Sequence, residues 1–461
     1  MLDLALLRAD AARVRAALER RGAWADRVDA AVDLDRRWSA RREVREALRT
    51  RRRQISDEVA RRKSAAGAEQ TAEAAAPDLL RAGRRAGRDL KAVEDAMADL
   101  SARREAALLA LPNLPADDVP DAPPAPDPSG PAWPHAFPPL AHWDLVEMLH
   151  LAEPAASAGR GFVLWRGAGA RLVRGLVRFM LGVHTEEGGR EEVLAPPLAT
   201  RAALVGSAHL PTLEGMLYAV AEPGGDRSLL LAASEGAEDR HATDADLYLA
   251  PRAEPHLASL YAGQVLEAGR LPIRLVAAAT AHRHTPHGGG PAGRGLLRLG
   301  AFPTVEVYTL CRPAESDAEL ERALAGAETI LARLEVAHRR RERAVTELSH
   351  AAARSVSLDV WCPGLPRREE DDEGEHGRWV EAAVLSSFTD YQARRTETQF
   401  RGADGRPRLV HTVGGAAVAV PRLVTALLET GQEEDGAVRL PAALERYVGM
   451  GVLDAPNGPA R

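Results

Sequence analysis

His282 and His284 lie in RLVAAATAHRHT, a stretch that reads as a strand, and His287 follows just beyond it; imidazoles so close together invite a metal site. Residues two apart on a strand share a face, so His282 and His284 lie opposite Arg283. The three read as surface or core histidines, and no zinc is expected. Cys311 and Cys362 are the only cysteines, which excludes a disulfide framework or a cysteine-rich zinc site and fits a reducing cytoplasm. A second chemical signal is basic. Arg36-Arg37, Arg41-Arg42, Arg51-Arg52-Arg53 and Arg61-Arg62-Lys63 crowd the first hundred positions. Fixed cations in such runs suit a phosphate backbone, with contacts that ignore sequence and weaken with salt.

Residues 28–64 read as one long helix, with Leu34, Trp38, Val44, Leu48, Ile55 and Val59 at spacings of a coiled-coil seam. A second helix over 77–111 carries Leu79, Gly83, Ala86, Leu90, Val93, Met97, Leu100, Arg104, Ala107 and Leu111 in steps of four and three. Pro77 is a natural helix start after the small, polar SAAGAEQTAEAAAP. The pair predicts an antiparallel hairpin, each helix burying its stripe against the other. A dimerisation or spacer coiled coil is the plainer reading of such a hairpin, and the arginine runs shift it towards a nucleic-acid backbone.

The run PNLPADDVPDAPPAPDPSGPAWPHAFPPLAHW is too proline-rich for helix or central strand and reads as a semi-rigid linker. Thus residues 1–112 form a helical arm, 113–142 a linker, and 143–461 an α+β domain in which lone helices interrupt strands without regular βαβ alternation. Strands are expected at REEVLAPPL, LLLAAS, DLYLAP, RLVAAATAHRHT, FPTVEVYTL, SLDVWCP, WVEAAVLSS and HTVGGAAVAV. Helices are expected at 170–187 and over SDAELERALAGAETILARLEV, the latter with Ser316 as N-cap. With 461 residues, 45% hydrophobic and 27% charged, the chain has ample length to bury a core. Its net charge of −6 excludes a general nucleic-acid coat. No apolar run approaches the roughly 20 residues of a membrane span, and MLDLALLRAD lacks the pattern of a secretory signal.

In order and with nearly fixed spacing, MLDLALLR, LPNLPADDVP, HWDL, GAGARL, HTEEGG, LYLAPRAE, LPIRLVAAA, DVWCPG, TDYQARR and HTVGGAAVAVPR resemble the seryl-tRNA synthetases across nearly the whole chain. The resemblance implies a six-to-eight-stranded antiparallel sheet flanked by helices, a homodimer, and an arm that holds the long variable region of its tRNA, of the serine type. With the cysteine content and the absence of a membrane-length apolar run, the expectation is a cytoplasmic protein with no membrane or DNA partner. It implies ATP and Mg2+ if the protein is catalytic. Such chemistry brings a carboxylate to the α-phosphate, mostly by positioning and electrostatics. The helix 170–187, REEVL and Pro196 match the motif at the family's dimer interface.

The resemblance also assigns site residues. Arg283 matches the phosphate-clamping arginine, Phe302 the aromatic that stacks on adenine, Glu381 a magnesium-binding glutamate, and Arg422 the arginine facing the γ-phosphate. Arg294, Arg298 and Glu306 match further positions. Thr285 stands where a glutamate orients ATP, Val384 where a hydroxyl is usual, and Pro421 where glycine precedes the last arginine. In the amino-acid pocket, a threonine and a glutamate become Arg252 and Glu254, and an asparagine and a small hydroxyl residue become Gly414 and Ala416. Arg51, Arg52, Arg53, Arg61, Arg62 and Lys63 are the candidate tRNA contacts.

Two postures are open to Arg252. It could fold across the pocket onto Glu254 or Glu306, or it could receive a carboxylate-bearing substrate by a bidentate contact. Losing partners for several substrate groups in a tight site costs about 1–3 kcal/mol each. The expectation is therefore a tRNA-binding paralogue, a pseudoenzyme or one with altered adenylate chemistry. The alternatives are a serine–tRNA ligase with an unusual pocket and a ligase for another amino acid or acceptor.

Overall fold

The computed structural model describes residues 1–66, 77–123, 131, 134–159, 161–220, 247–284, 294–366 and 376–455. They form two compact units, Leu2–Leu111 and Pro112–Arg461 together with Met1. Among the described residues no helix is long and apolar enough to cross a membrane.

In the first unit, short helices Leu4–Ala9 and Ala11–Glu19 precede two long ones, α1 (Ala25–Ala66) and α2 (Pro77–Ala110), which pack together. The α2 stripe Ala86, Leu90, Val93, Met97 and Leu100 is buried, as its heptad spacing requires. Val44 departs from expectation and is exposed. Val44 lies six residues after Trp38, a rotation that leaves it about 120° round the helix from that ring. A polar clasp ties this unit: Arg8 donates to both oxygens of Asp35 at 2.7 and 2.9 Å, and Arg104 to one at 3.1 Å. The Arg104 guanidinium also stacks 4.1 Å from the Trp38 ring centre. The hydrogen bond from Arg8 holds the Asp35 carboxyl below its usual range.

The second unit is built on a seven-stranded sheet. Its elements in chain order are α3 (Gly167–Gly182), β1 (Glu191–Glu192), β2 (Leu247–Leu249), α4 (Glu254–Ser259), β3 (Ile273–His282), β4 (Ala301–Cys311), α5 (Ser316–Arg333), β5 (His338–Glu342), β6 (Arg354–Pro366), β7 (His376–Thr389), α6 (Tyr391–Thr396), β8 (His411–Ala419) and α7 (Val420–Thr430). The sheet runs β5-β6-β7-β8-β4-β3-β1, antiparallel throughout except the edge pair β1 and β3, while β2 belongs to a smaller sheet. This is the α+β architecture expected. Val305 and Val307 of β4, Leu358 and Val360 of β6 and Val413 of β8 point to one face, where α3, α5 and α7 bury Leu172, Leu324 and Leu427 against them. The period of two leaves Thr304, Glu306 and Tyr308 on the other face of β4, and that face carries the site.

Three local readings are corrected. Ser316 is not an N-cap: Pro313 opens a 3-10 turn, the main-chain N–H of Arg312 donates to Glu315, and Ser316 is already helical, with its hydroxyl donating to Pro313 O at 3.1 Å. The helix expected over 170–187 closes as a π-helical turn, Val183–Glu187. REEVLAPPL supplies only Glu191–Glu192 to the main sheet, because the prolines that follow cannot donate to a ladder. LLLAAS lies outside the described residues.

Candidate active site

The turn between β2 and α4 places Arg252 and Glu254 beneath Glu306 of β4. Arg252 Nη1 lies 3.2 Å from Glu254 Oε2, and its Nε lies 3.4 Å from Glu306 Oε1. The Glu254 main-chain N–H donates to Glu306 Oε2 at 2.9 Å. Of its two possible postures, Arg252 has the folded one. The network continues inward: the Gln392 amide of α6 donates to Glu254 Oε1 at 2.7 Å, and its oxygen accepts from Tyr308 at 2.8 Å and Thr412 at 2.9 Å. Burial opposes ionisation of Arg252, but Glu306 and Glu254 outweigh it and hold the guanidinium pKa above its usual value. Burial raises the Glu306 carboxyl, with Arg252 opposing.

Arg252, Arg283, Phe302, Glu306, Glu381 and Arg422 line one cavity of about 400 Å3, whose wall also includes Arg298, Val384 and Ala416. Arg283 follows β3, and its main-chain N–H donates to Gly300 O at 2.8 Å. Burial lowers its pKa to about 10, and Arg252 and Arg422 push the same way against Glu306. The cavity is therefore rich in positive charge and fits an anionic ligand. Phe302 offers an apolar wall. Those residues fit a nucleoside phosphate.

Gly414 sits in β8 between β4 and β7. A Cβ there would come within 2.7 Å of Val307 O and 2.9 Å of Tyr308 Cδ2, so no asparagine side chain fits this backbone. Ala416, two residues on, faces the cavity with a methyl group. Arg294 is exposed, its guanidinium 4.4 Å from the Trp143 ring centre. His282 is half-buried, with Nδ1 3.1 Å from Ala250 O, and His284 is exposed beside Tyr218. Thr285 and His287 lie outside the described residues. In the first unit Arg51, Arg52, Arg53, Arg61, Arg62 and Lys63 are all exposed, and Arg61 and Arg62 pair with Glu58 at 2.6 and 3.0 Å.

Sequence reasoning missed two supports. His142 and Glu429 are fully buried; Glu429 Oε1 accepts from His142 Nδ1 at 2.8 Å, while His142 Nε2 accepts from the Leu296 N–H at 3.1 Å. Gly295 beside them has φ +68°, and a Cβ there would fall 2.4 Å from His142 Nε2. The second is a row of arginines on β5, Arg339 and Arg341, extended by Arg343, on the face that carries Glu381. The signal was in HRRRER, whose arginines recur every second residue as on a strand face.

Comparisons with known proteins agree along the chain. A family model for the seryl-tRNA synthetase N-terminal domain matches residues 1–115, and one for the tRNA synthetase class II core domain (G, H, P, S and T) matches 237–431. A serine–tRNA ligase of Gemmatimonas aurantiaca is 36% identical over 465 residues, covering 98% of this chain and 100% of its own. That of Thermomicrobium roseum is 34% identical, covering 97% and 94%. The crystal structure of seryl-tRNA synthetase from Pyrococcus horikoshii complexed with ATP matches with a TM-score of 0.81 at 26% identity, covering 99% of this chain and 100% of that one.

Proposed function

The chain belongs to the seryl-tRNA synthetase family, and from that premise we propose that it binds tRNA through its arm and ATP in the cavity on the sheet, while Arg252 closes the subsite for a small hydroxy amino acid. In this reading Arg283 and Arg422 hold phosphates, Arg298 contributes at the rim, and Phe302 stacks on adenine. The protein acts as a cytoplasmic homodimer. Its serine-activating chemistry is lost or redirected to another amino acid or acceptor.

One observation carries the reading: Arg252 is ion-paired to both Glu254 and Glu306, the carboxylates a serine ammonium group and hydroxyl would need. Removing its cation leaves two buried carboxylates without the counter-charge that Arg252 supplies, which is costly. Gly414 and Ala416 supply no replacement hydrogen bonds. A second reading, serine–tRNA ligase activity, is favoured by the relatives, which are serine–tRNA ligases matched over nearly their full length. In that reading serine itself displaces Arg252 from the carboxylates.

Amino-acid-dependent ATP–pyrophosphate exchange across all standard amino acids separates them. The proposal expects no exchange with serine above the amino-acid-free background. Exchange driven by serine would establish the second reading, and exchange driven only by another amino acid would identify a redirected ligase.

A further inference from the structure

Glu381 is the carboxylate that the family likeness would give to Mg2+, but its surroundings in this chain do not suit a divalent cation. Arg343 Nη1 lies 3.2 Å from Glu381 Oε2, and Arg341 Nη2 lies 3.6 Å from the same oxygen. Arg422 Nη1 lies 3.7 Å from the other oxygen and also donates to the Glu381 main-chain carbonyl. Both carboxylate oxygens are thus turned to guanidinium groups. Val384, three residues on, offers no oxygen.

The neighbouring carboxylates are engaged in the same way. Asp359 pairs in register with Glu381, and its Oδ2 lies 3.5 Å from Arg341 Nε and 3.6 Å from Arg339 Nε. Glu347 accepts from Arg341 at 2.9 Å. Four arginines therefore share three carboxylates, and of this group Glu381 and Arg422 line the cavity together with Arg283. Among the described residues, no group of three or more His, Cys, Asp or Glu side chains is placed to hold a metal ion. A divalent cation at Glu381 would have to displace guanidinium groups and add charge where positive charge is already in excess.

We propose that Arg341 and Arg343, acting with Arg422, take the place of the divalent cation, so that this chain binds the polyphosphate of ATP without Mg2+. Guanidinium groups bind phosphate oxygens through two parallel N–H donors and need no proton or metal to do so. Arg341 and Arg343 stand behind Glu381, which lines the cavity, and each retains 22% of its side-chain exposure, so a phosphate that displaces the Glu381 carboxylate meets them. The proposal rests on the reading of the cavity as an ATP site, and its test separates the two.

Calorimetric titration of the full chain with ATP is run once in excess Mg2+ and once in excess EDTA. The expected dissociation constants agree within about threefold, with ATP bound more tightly than AMP in EDTA. Binding in Mg2+ that weakens by about tenfold or more in EDTA overturns the proposal and leaves the ATP site standing. Absence of binding in both overturns the ATP site and the proposal with it. Arg343→Ala and Arg341→Ala, titrated in EDTA, are each expected to weaken ATP by about tenfold while leaving AMP within about threefold. Equal loss for both nucleotides would overturn the polyphosphate role.

Discussion

Arg252 Nε stands 3.4 Å from one oxygen of Glu306, and the other oxygen of that carboxylate accepts the main-chain N–H of Glu254 at 2.9 Å. One arginine thereby fixes the two acids that face the amino-acid subsite. Arg252→Ala is expected to destabilise the protein by about 3 kcal/mol, since it leaves buried carboxylates uncompensated. A double-mutant cycle with Glu306→Gln is expected to give a coupling of about 1–3 kcal/mol in urea unfolding. Additive effects would show that the pair is not coupled.

His142 links α7 to Leu296, bonding Glu429 through one ring nitrogen and the Leu296 main chain through the other. His142→Ala leaves the fully buried Glu429 without one of its partners, and a loss of about 3 kcal/mol is expected. Because Leu296 lines the cavity, ATP affinity is expected to fall as well. Thermal unfolding and ATP titration of the variant check both, and an unchanged melting temperature contradicts the buried-pair account.

Two buried histidines make stability depend on acid. Burial lowers the His184 pKa from 6.5 to about 3, helped by Arg190. Burial lowers that of His209 from 6.5 to about 4, with Arg252 and Arg283 helping and Glu254 opposing. Between the folded and unfolded values, the unfolded chain binds more protons. Their stabilisation is therefore full above the unfolded pKa and declines as pH falls through the window, by about 1.4 kcal/mol per unit for each. His209→Gln is expected to flatten the urea midpoint between about pH 6.5 and about pH 4. An identical slope in variant and parent would contradict the assignment.

The arm carries its own prediction. Replacing Arg51, Arg52 and Arg53 by alanine is expected to weaken binding of serine-type tRNA at low salt. The slope of log affinity against log salt should shrink by about 0.7–0.9 for each phosphate no longer neutralised. A slope unaltered by the substitutions would place the tRNA-binding surface elsewhere on the molecule.

Much of this was legible in the chain itself. The α2 stripe announced its helix and its buried face, and the strands that bear Glu306 and Gly414, and the one that leads into Arg283, were read as strands from their apolar and β-branched stretches. What escaped the sequence depended on geometry between distant segments. Arg252 had two possible postures, and only the position of Glu306 on β4 decides between them. The strand β5 was overlooked because HRRRE has none of the apolar alternation that marks a half-buried strand; its arginines find carboxylates on both faces instead. Gly414 looked like a lost side chain, whereas the closeness of Val307 O leaves no space for one.

The closure of the serine subsite is tested most directly by titrating the protein with a non-hydrolysable seryl-adenylate analogue alongside AMP. With Arg252 held by Glu254 and Glu306, the analogue is expected to bind no more than about threefold more tightly than AMP. An analogue bound about a hundredfold more tightly, as in a site shaped for the activated amino acid, would contradict it.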